Sequence, residues 1–334
     1  MTAPGQQPQW GSYRHRYSAP PPQLPAAAAV KPGIVALAPL NLGSVLGGAF
    51  TVYKFNPAAM IALPLVLFGA LAAIGAPLAF LLSSGLETVS DPFQIGVQVL
   101  PAVLGIAALA LVSCAIIPFV AGSVHGAVLG RKLTVAEIWT ATSRRIPAVL
   151  GYTLLLGLAM VVTTVLLILP MVALQENVPA LVGAMILLSL AYTVFWVWLS
   201  VKVLVAPAAI AVEGLGPIAA IRRSFRLTRG AFWPVLGTYL LASMIASIAQ
   251  QLLGGLVSVP IAMVTSLVDL ERPDLLLATL MVPAAFLSMA IVLPFNYAVV
   301  TLIYVDRRIK LEAYDVELAQ QAAPVQPPSA WGRS

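Results

Sequence analysis

Six stretches of the chain contain no Asp, Glu, Lys or Arg: 55–86, 92–130, 146–175, 177–201, 230–268 and 275–305. Crossing a hydrocarbon core of roughly 30 Å takes about 20 apolar residues in a helix. Water does not satisfy the backbone at that depth, whereas a helix pairs its N–H and C=O groups within one segment. The pattern predicts an all-α, polytopic membrane protein with six transmembrane helices. Three connectors carry a second, amphipathic pattern. In 41–55, Val45, Leu46, Ala49, Phe50 and Tyr53 share one helical face. In 134–146, Thr134 and Glu137 form a capping box ahead of Val135, Ile138, Trp139 and Thr142. In 215–229, Ile218, Ile221 and Phe225 form an apolar stripe with Arg222, Arg226 and Arg229 beside it. Each predicts an elbow helix lying in the interface, its apolar face among acyl chains and its cations on lipid phosphates.

The prolines mark a repeat. Pro57, Pro147 and Pro234 stand at the starts of helices 1, 3 and 5, and Pro118, Pro207 and Pro294 in the later halves of helices 2, 4 and 6. Each pair is separated by about 60 residues and recurs about every 88, which signals repeated architecture. The expected unit is a cytoplasmic elbow, an outbound helix and a returning, kinked helix, with repeats over 41–130, 131–213 and 214–305. The first set costs nothing, because the N–H groups of a first helical turn are unpaired anyway. Each proline of the second set strips the donor from the carbonyl four residues earlier, at Cys114, Val203 and Ala290. Neighbouring helices can absorb such kinks, or three kinks at one depth can line a vestibule.

Composition agrees with the pattern: 60% of residues are hydrophobic and 9% charged, against roughly 25% charged in soluble domains. The distribution of charge sets orientation. Arg14, Arg16, Lys31 and Lys54 precede helix 1, and Arg131, Lys132, Arg144 and Arg145 lie between helices 2 and 3. Arg222, Arg223, Arg226 and Arg229 lie between helices 4 and 5, and Arg307, Arg308, Lys310 and Arg333 follow helix 6. The other three loops hold only Arg272 among bases, with Glu87, Asp91, Glu176, Asp269, Glu271 and Asp274. Short loops rich in Lys and Arg stay cytoplasmic, so both termini are expected inside a bacterial plasma (inner) membrane. The net charge of +6 is thereby assigned to the inner leaflet and not to nucleic acid, which would need a folded soluble surface to present it.

Residues 1–37, rich in Gln and Pro, lack the compact apolar core of a signal peptide and read as a disordered cytoplasmic tail; 319–334 read likewise, leaving 38–318 as the membrane domain. Cys114 lies in an apolar run and reads as a small hydrophobe. Within the membrane the polar candidates are Lys202, whose stem can snorkel to the surface, Gln250 and Gln251 near Gly254 and Gly255, and Asn296 behind Pro294. The glutamines fit interhelical hydrogen bonding with close backbone packing, or a polar patch in a pathway. Asn296 is placed to bond a carbonyl that Pro294 releases.

Chemistry-bearing patterns are sparse. The two histidines, His15 and His125, do not make a metal set, and neither a phosphate-cradling Gly-rich loop nor a Gly-x-Ser-x-Gly elbow occurs. The expectation is no catalytic residue, metal or cofactor.

Residues 214–233, Gly-Leu-Gly-Pro-Ile-Ala-Ala-Ile-Arg-Arg-Ser-Phe-Arg-Leu-Thr-Arg-Gly-Ala-Phe-Trp, resemble the central motif of a bacterial family named after the membrane domain of glycerophosphoryl diester phosphodiesterase. Residues 304–318 resemble its closing motif and 39–50 its opening one, where this chain has Ser44 and Gly48 in place of the family's frequent acids. The resemblance covers about 39–318 and implies a multi-helix membrane module of undefined function, without the phosphodiesterase barrel joined to it in some relatives. The leading functional expectation is a non-catalytic module that engages anionic lipid, or a membrane or cytoplasmic protein partner, at its basic face. The candidate groups are Arg144, Arg145, Arg222, Arg223, Arg226, Arg229, Arg307 and Arg308. The alternatives are a transporter or permease for a small solute or lipid, and a lipid-modifying membrane enzyme.

Overall fold

The apolar runs fold as helices throughout. The computed structural model describes residues 31–84, 92–173, 178–267 and 273–322, and among these there is no strand. In chain order the helices are α1 (Leu42–Phe55), α2 (Leu63–Ser84), α3 (Pro92–Val128), α4 (Val135–Thr142), α5 (Ile146–Ala173) and α6 (Val178–Val203). They continue as α7 (Ala206–Glu213), α8 (Pro217–Leu227), α9 (Phe232–Leu267), α10 (Pro273–Glu312) and α11 (Tyr314–Ala322). Among the described residues six helical spans are long and apolar enough to cross a membrane. They lie in α2, α3, α5, the α6–α7 pair, α9 and α10.

Local chemistry sets the short helices. Asn41 caps α1 by accepting the Ser44 N–H at 2.8 Å. The capping box forms at α4, with Thr134 N–H donating to Glu137 Oε2 at 2.7 Å and Glu137 N–H to Thr134 Oγ1 at 3.3 Å. Pro217 opens α8, and Gly214 closes α7 in the left-handed region at φ +72°. The Arg145 guanidinium lies over Gly214, 1.9 Å from where a Cβ would stand, so any side chain there would displace it.

The bundle is built around α10, which packs against α1, α2, α3, α7, α8, α9 and α11. Phe68 of α2, Phe119 and Ile116 of α3, Ile210 of α7, Leu227 of α8, Leu302 and Tyr304 of α10 and Leu318 of α11 are almost wholly excluded from the surface. Lipid solvates apolar side chains as well as protein does, so van der Waals fit holds this core together across the membrane. The α5–α6 hairpin joins it only near one end, through Val149, Tyr152, Val201 and Val203, and is otherwise largely exposed. Polar contacts between its two helices include Thr164 Oγ1 to Tyr192 Oη at 3.1 Å, Trp196 Nε1–H to Thr163 Oγ1 at 3.2 Å and, near the basic end, the Tyr152 hydroxyl to the Val203 carbonyl at 3.2 Å. Thus a short helix followed by two long ones occurs three times along the chain, but the three units pack differently.

Three expectations change. Residues 34–37, expected in a disordered tail over 1–37, pack on the bundle instead, where Ile34, Val35, Leu37 and the adjoining Leu40 are buried. Ile34 N–H donates to the Ala127 carbonyl at 3.1 Å. Gly33 lies so near the end of α3 that a Cβ would sit 2.0 Å from that carbonyl oxygen. The apolar run Ile34–Leu40 outweighs the polar residues that precede it. At the other end α11 continues to Ala322, anchored by buried Tyr314 and Leu318, so 319–322 are helical where a disordered tail was expected; residues 1–30 and 323–334 lie outside the described residues. Lastly, helix 4 is two helices. It breaks at Leu204–Val205, with Pro207 as the second residue of α7. The Val203 carbonyl, which Pro207 leaves without a donor, accepts the Tyr152 hydroxyl at 3.2 Å. Pro118 and Pro294 stand inside unbroken helices.

Candidate functional site

Most of the charged side chains gather at one end of the bundle, where the ends of α3, α7 and α10 meet α1, α4, α8, α11 and the N-terminal segment. Several of the cations there are already paired. Arg223 of α8 donates through Nε to both oxygens of Glu213 at 3.0 and 3.1 Å, and through its two terminal nitrogens to the two oxygens of Glu312. Glu213 also accepts the Tyr304 hydroxyl at 2.6 Å. Arg308 donates to Glu312 at 3.1 Å, to the Tyr304 hydroxyl at 3.2 Å and to Glu317 at 3.4 Å, and its guanidinium lies 3.6 Å from the Tyr314 ring centre. This clasp joins α7, α8, α10 and α11. The Glu312 and Glu213 carboxylates hold the Arg223 guanidinium above its ordinary range, against the opposing effect of burial. Burial pushes the Tyr314 hydroxyl up to about 12.

The eight candidate arginines therefore divide. Arg223 and Arg308 are built into the clasp, and Arg307 donates Nε–H to the Leu227 carbonyl at 2.8 Å. Arg145 covers Gly214 and keeps a buried Nε with no hydrogen-bond partner among the described residues. Arg144, Arg222, Arg226 and Arg229 are exposed and form no ion pair among the described residues. On α8 the sequence places Arg222 and Arg223 side by side, yet one faces outward and the other is only 10% exposed. Successive helix positions point about 100° apart, so Arg222 and Arg223 meet different surroundings.

A cavity of about 370 Å³ opens beside the clasp, between the start of α1, the start of α9 and the end of α10. Arg307, Lys310, Asp306, Asn41 and Trp233 are in its wall. Asp306 is already satisfied: it accepts the Leu40 N–H at 2.7 Å and the Lys310 ammonium at 2.8 Å. Arg307 is then the cation without a carboxylate in this wall. Trp233 is 76% exposed at the rim, as suits an aromatic ring at a membrane–water interface.

Within the membrane, the predicted polar residues fall in different places. Lys202 is half-buried in the last turn of α6, and its backbone carbonyl accepts the Ser224 hydroxyl at 2.6 Å, tying α6 to α8. Gln250 Nε2 donates to Ser288 Oγ at 2.8 Å, which ties α9 to α10. Gln251 is exposed. Gly254 and Gly255 approach nothing: a Cβ on either would meet no atom within 4 Å. Asn296 does not bond a carbonyl released by Pro294; its Oδ1 is buried with no partner among the described residues. Tyr53 Oη–H reaches the neighbouring Ile291 carbonyl at 2.8 Å.

Asn296 stands between two clefts. One, about 380 Å³, is walled by Tyr152, Trp196, Ser200, Tyr239 and Tyr297; the other, about 360 Å³, by Ser243, Ser247, Gln250 and Gln251. No Asp, Glu, Lys or Arg lines either. Sequence reasoning missed the tyrosines, which look like interface anchors until the helices are assembled. It also missed Glu213, Asp306 and Glu312. Their signal was present: acids set among bases on the positively charged side have partners within reach.

Comparison with known protein families, with curated proteins and with solved structures finds no match. Among the described residues no three His, Cys, Asp or Glu side chains come together as metal ligands. Glu213, Asp306, Glu312 and Glu317 are engaged by arginine, lysine or tyrosine, so the arrangement offers cationic and aromatic surface for binding.

Proposed function

We propose that this chain is a non-catalytic, multi-pass protein of the bacterial plasma membrane that engages anionic lipid at its basic end, with both termini cytoplasmic. The proposal includes membership of the membrane-domain family that its arginine motif resembles. The observation that carries it is the division of α8. One side is held to the bundle through Arg223, Ser224 and Leu227. The other presents Arg222 and Arg226 beside the exposed Ile218, with exposed Arg229 just past the end of the helix. Cations next to exposed apolar side chains, at the end of a membrane bundle, suit a headgroup layer in which phosphates lie just above acyl chains. Trp139 and Trp233 at the same end support this depth.

Each exposed cation near an anionic leaflet contributes about 1 kcal/mol. Replacing Arg222, Arg226 and Arg229 together by Gln is expected to weaken phosphatidylglycerol binding by up to about 3 kcal/mol in lipid-resolved mass spectrometry of the purified protein. Unchanged retention of phosphatidylglycerol would remove the reading. A permease is the second reading, supported by the uncharged clefts around Asn296. Solute or lipid flux in proteoliposomes, abolished by Asn296→Leu, would favour it over the first.

A further inference from the structure

The cavity of about 370 Å³ beside the clasp and an apolar groove of about 220 Å³ are both walled by α1, α9 and α10. Their linings fall on one face of each long helix. On α9, Val235 and Thr238 line the cavity, and Ala249 and Leu253 the groove. On α10 the same holds for Asp306 and Ile303, then Phe295 and Val292. From Val235 to Ala249, and from Asp306 back to Val292, is about 14 helical positions, or roughly 20 Å. That is about the depth of one leaflet with its headgroups. Helix α1 starts at the cavity with Asn41 and reaches the groove with Phe50 and Tyr53. It is fixed to α10 there: the Tyr53 hydroxyl donates to the Ile291 carbonyl at 2.8 Å, and the Phe50 and Phe295 ring centres are 4.7 Å apart. The groove is open to the outside, with Phe50 52% and Ile291 37% exposed.

At the cavity the seam is cationic. Lys310 Nζ is held in the wall by two other wall residues, the Asp306 carboxylate at 2.8 Å and the Leu40 carbonyl at 3.3 Å, which leaves one of its three N–H groups. Arg307 spends its Nε–H on the Leu227 carbonyl, and its two terminal nitrogens have no partner among the described residues. Both of those nitrogens reach the surface. Three positions apart on α10, Arg307 and Lys310 are neighbours on its surface, so one phosphate can meet both. Asp306 has its oxygens on the Leu40 N–H and on Lys310. Two cations and one carboxylate leave this wall with one positive charge, the complement of a phosphodiester.

We infer that one phospholipid with a single negative charge, of the phosphatidylglycerol class, binds along this seam. Its phosphate lies between Arg307 and Lys310, Trp233 flanks it at the rim, and an acyl chain runs to the groove. The inference rests on the anionic-lipid reading of the basic end and adds a defined site in which α8 forms no wall. A phosphate without chains would leave the groove empty, and a chain without a phosphate would leave Arg307 unpaired.

The test is photolabelling of the full-length protein in phosphatidylcholine vesicles that contain a trace of phosphatidylglycerol with a diazirine in an acyl chain. Attachment sites are read by peptide mass spectrometry. Label is expected on the α1, α9 and α10 peptides that hold Phe50, Leu253 and Ile291. Unlabelled phosphatidylglycerol is expected to compete it away, and its deacylated, water-soluble headgroup is not. Arg307→Gln should lower labelling about ten-fold, the effect of a lost charge-assisted hydrogen bond. Gly237 offers a second variant that spares the fold, because it is exposed in the cavity wall and a Cβ there would meet no atom within 4 Å. Gly237→Glu adds a carboxylate to the wall and should lower labelling about five-fold, whereas Gly237→Gln, of the same size, should not. Replacing Arg222, Arg226 and Arg229 by Gln should lower total retention of phosphatidylglycerol and leave the labelled peptides the same, so the two readings fail separately. Labelling spread evenly over α5 and α6, displacement by the soluble headgroup, or equal labelling in Gly237→Glu and Gly237→Gln would overturn the site while leaving the reading of α8 in place.

Discussion

The most apolar stretches of α6 and α10 have almost the same mean hydropathy, yet 61% of the α10 stretch is buried inside the protein and none of the α6 stretch is. Apolarity in a membrane helix reports only that it can leave water. Whether its neighbours are lipid or protein depends on the shape of its surface and on the polar groups at its ends. The inner part of α10 is small or compact over Ala290, Ala298, Val299 and Thr301, so other helices approach it closely. Its charged end is tied down by Glu213, Arg223 and Leu40. On α6 the surface is long and aliphatic, with Ile186, Leu187 and Leu190 each more than 60% exposed, and its polar contacts to α5 among the described residues are three, to Tyr152, Thr163 and Thr164.

The widest separation between the two regions is expected from the clasp. Glu213→Ala strips a shared partner from Arg223 and Tyr304 where the arginine side chain is only 10% exposed. It should lower stability in detergent by roughly 3 kcal/mol, read as a fall in the thermal midpoint. Phe68→Ala on α2, which faces Phe286 of α10 with ring centres 6.3 Å apart, should cost about 2 kcal/mol. That is below the value for a water-soluble core, because lipid also solvates the removed ring. Removing the Thr164–Tyr192 clip of the outer hairpin by Thr164→Val and Tyr192→Phe together should cost roughly 0.6 kcal/mol and raise backbone hydrogen exchange in α5 and α6 while leaving α10 protected. Leu187→Ala, at a position 69% exposed on α6, should change stability by less than about 0.5 kcal/mol. If Leu187→Ala proved as costly as Phe68→Ala, α6 would have a protein partner where this comparison places lipid.

The basic end repeats the comparison on a smaller scale. The charge pattern is legible as a row of cations, but a row does not say which are spent. On α8 the angular position alone turns Arg223 towards Glu213 and Glu312, separated from it by 10 and 89 residues, and leaves Arg222 outside. The prolines are similar. Their spacing marks where backbone donors are lost, yet one lost donor is replaced by Tyr152 of another helix, and Asn296, next to Pro294 and the nearest amide in sequence, takes no part. Local signals held best where the partner is local. Asn41 and the Thr134–Glu137 pair cap their helices three residues away, so neither depends on assembly.

The chain on its own determined that six uncharged runs must become helices, because an unpaired backbone cannot reside in hydrocarbon, and that the acids and bases between them stay in water. Only the tertiary structure decided which helix becomes the core, which arginines close on carboxylates and which amide is left facing a cleft. Those outcomes depend on distances between groups far apart in sequence. Hydropathy is a property of each segment alone, whereas packing and hydrogen-bond satisfaction belong to pairs that exist once the helices have assembled.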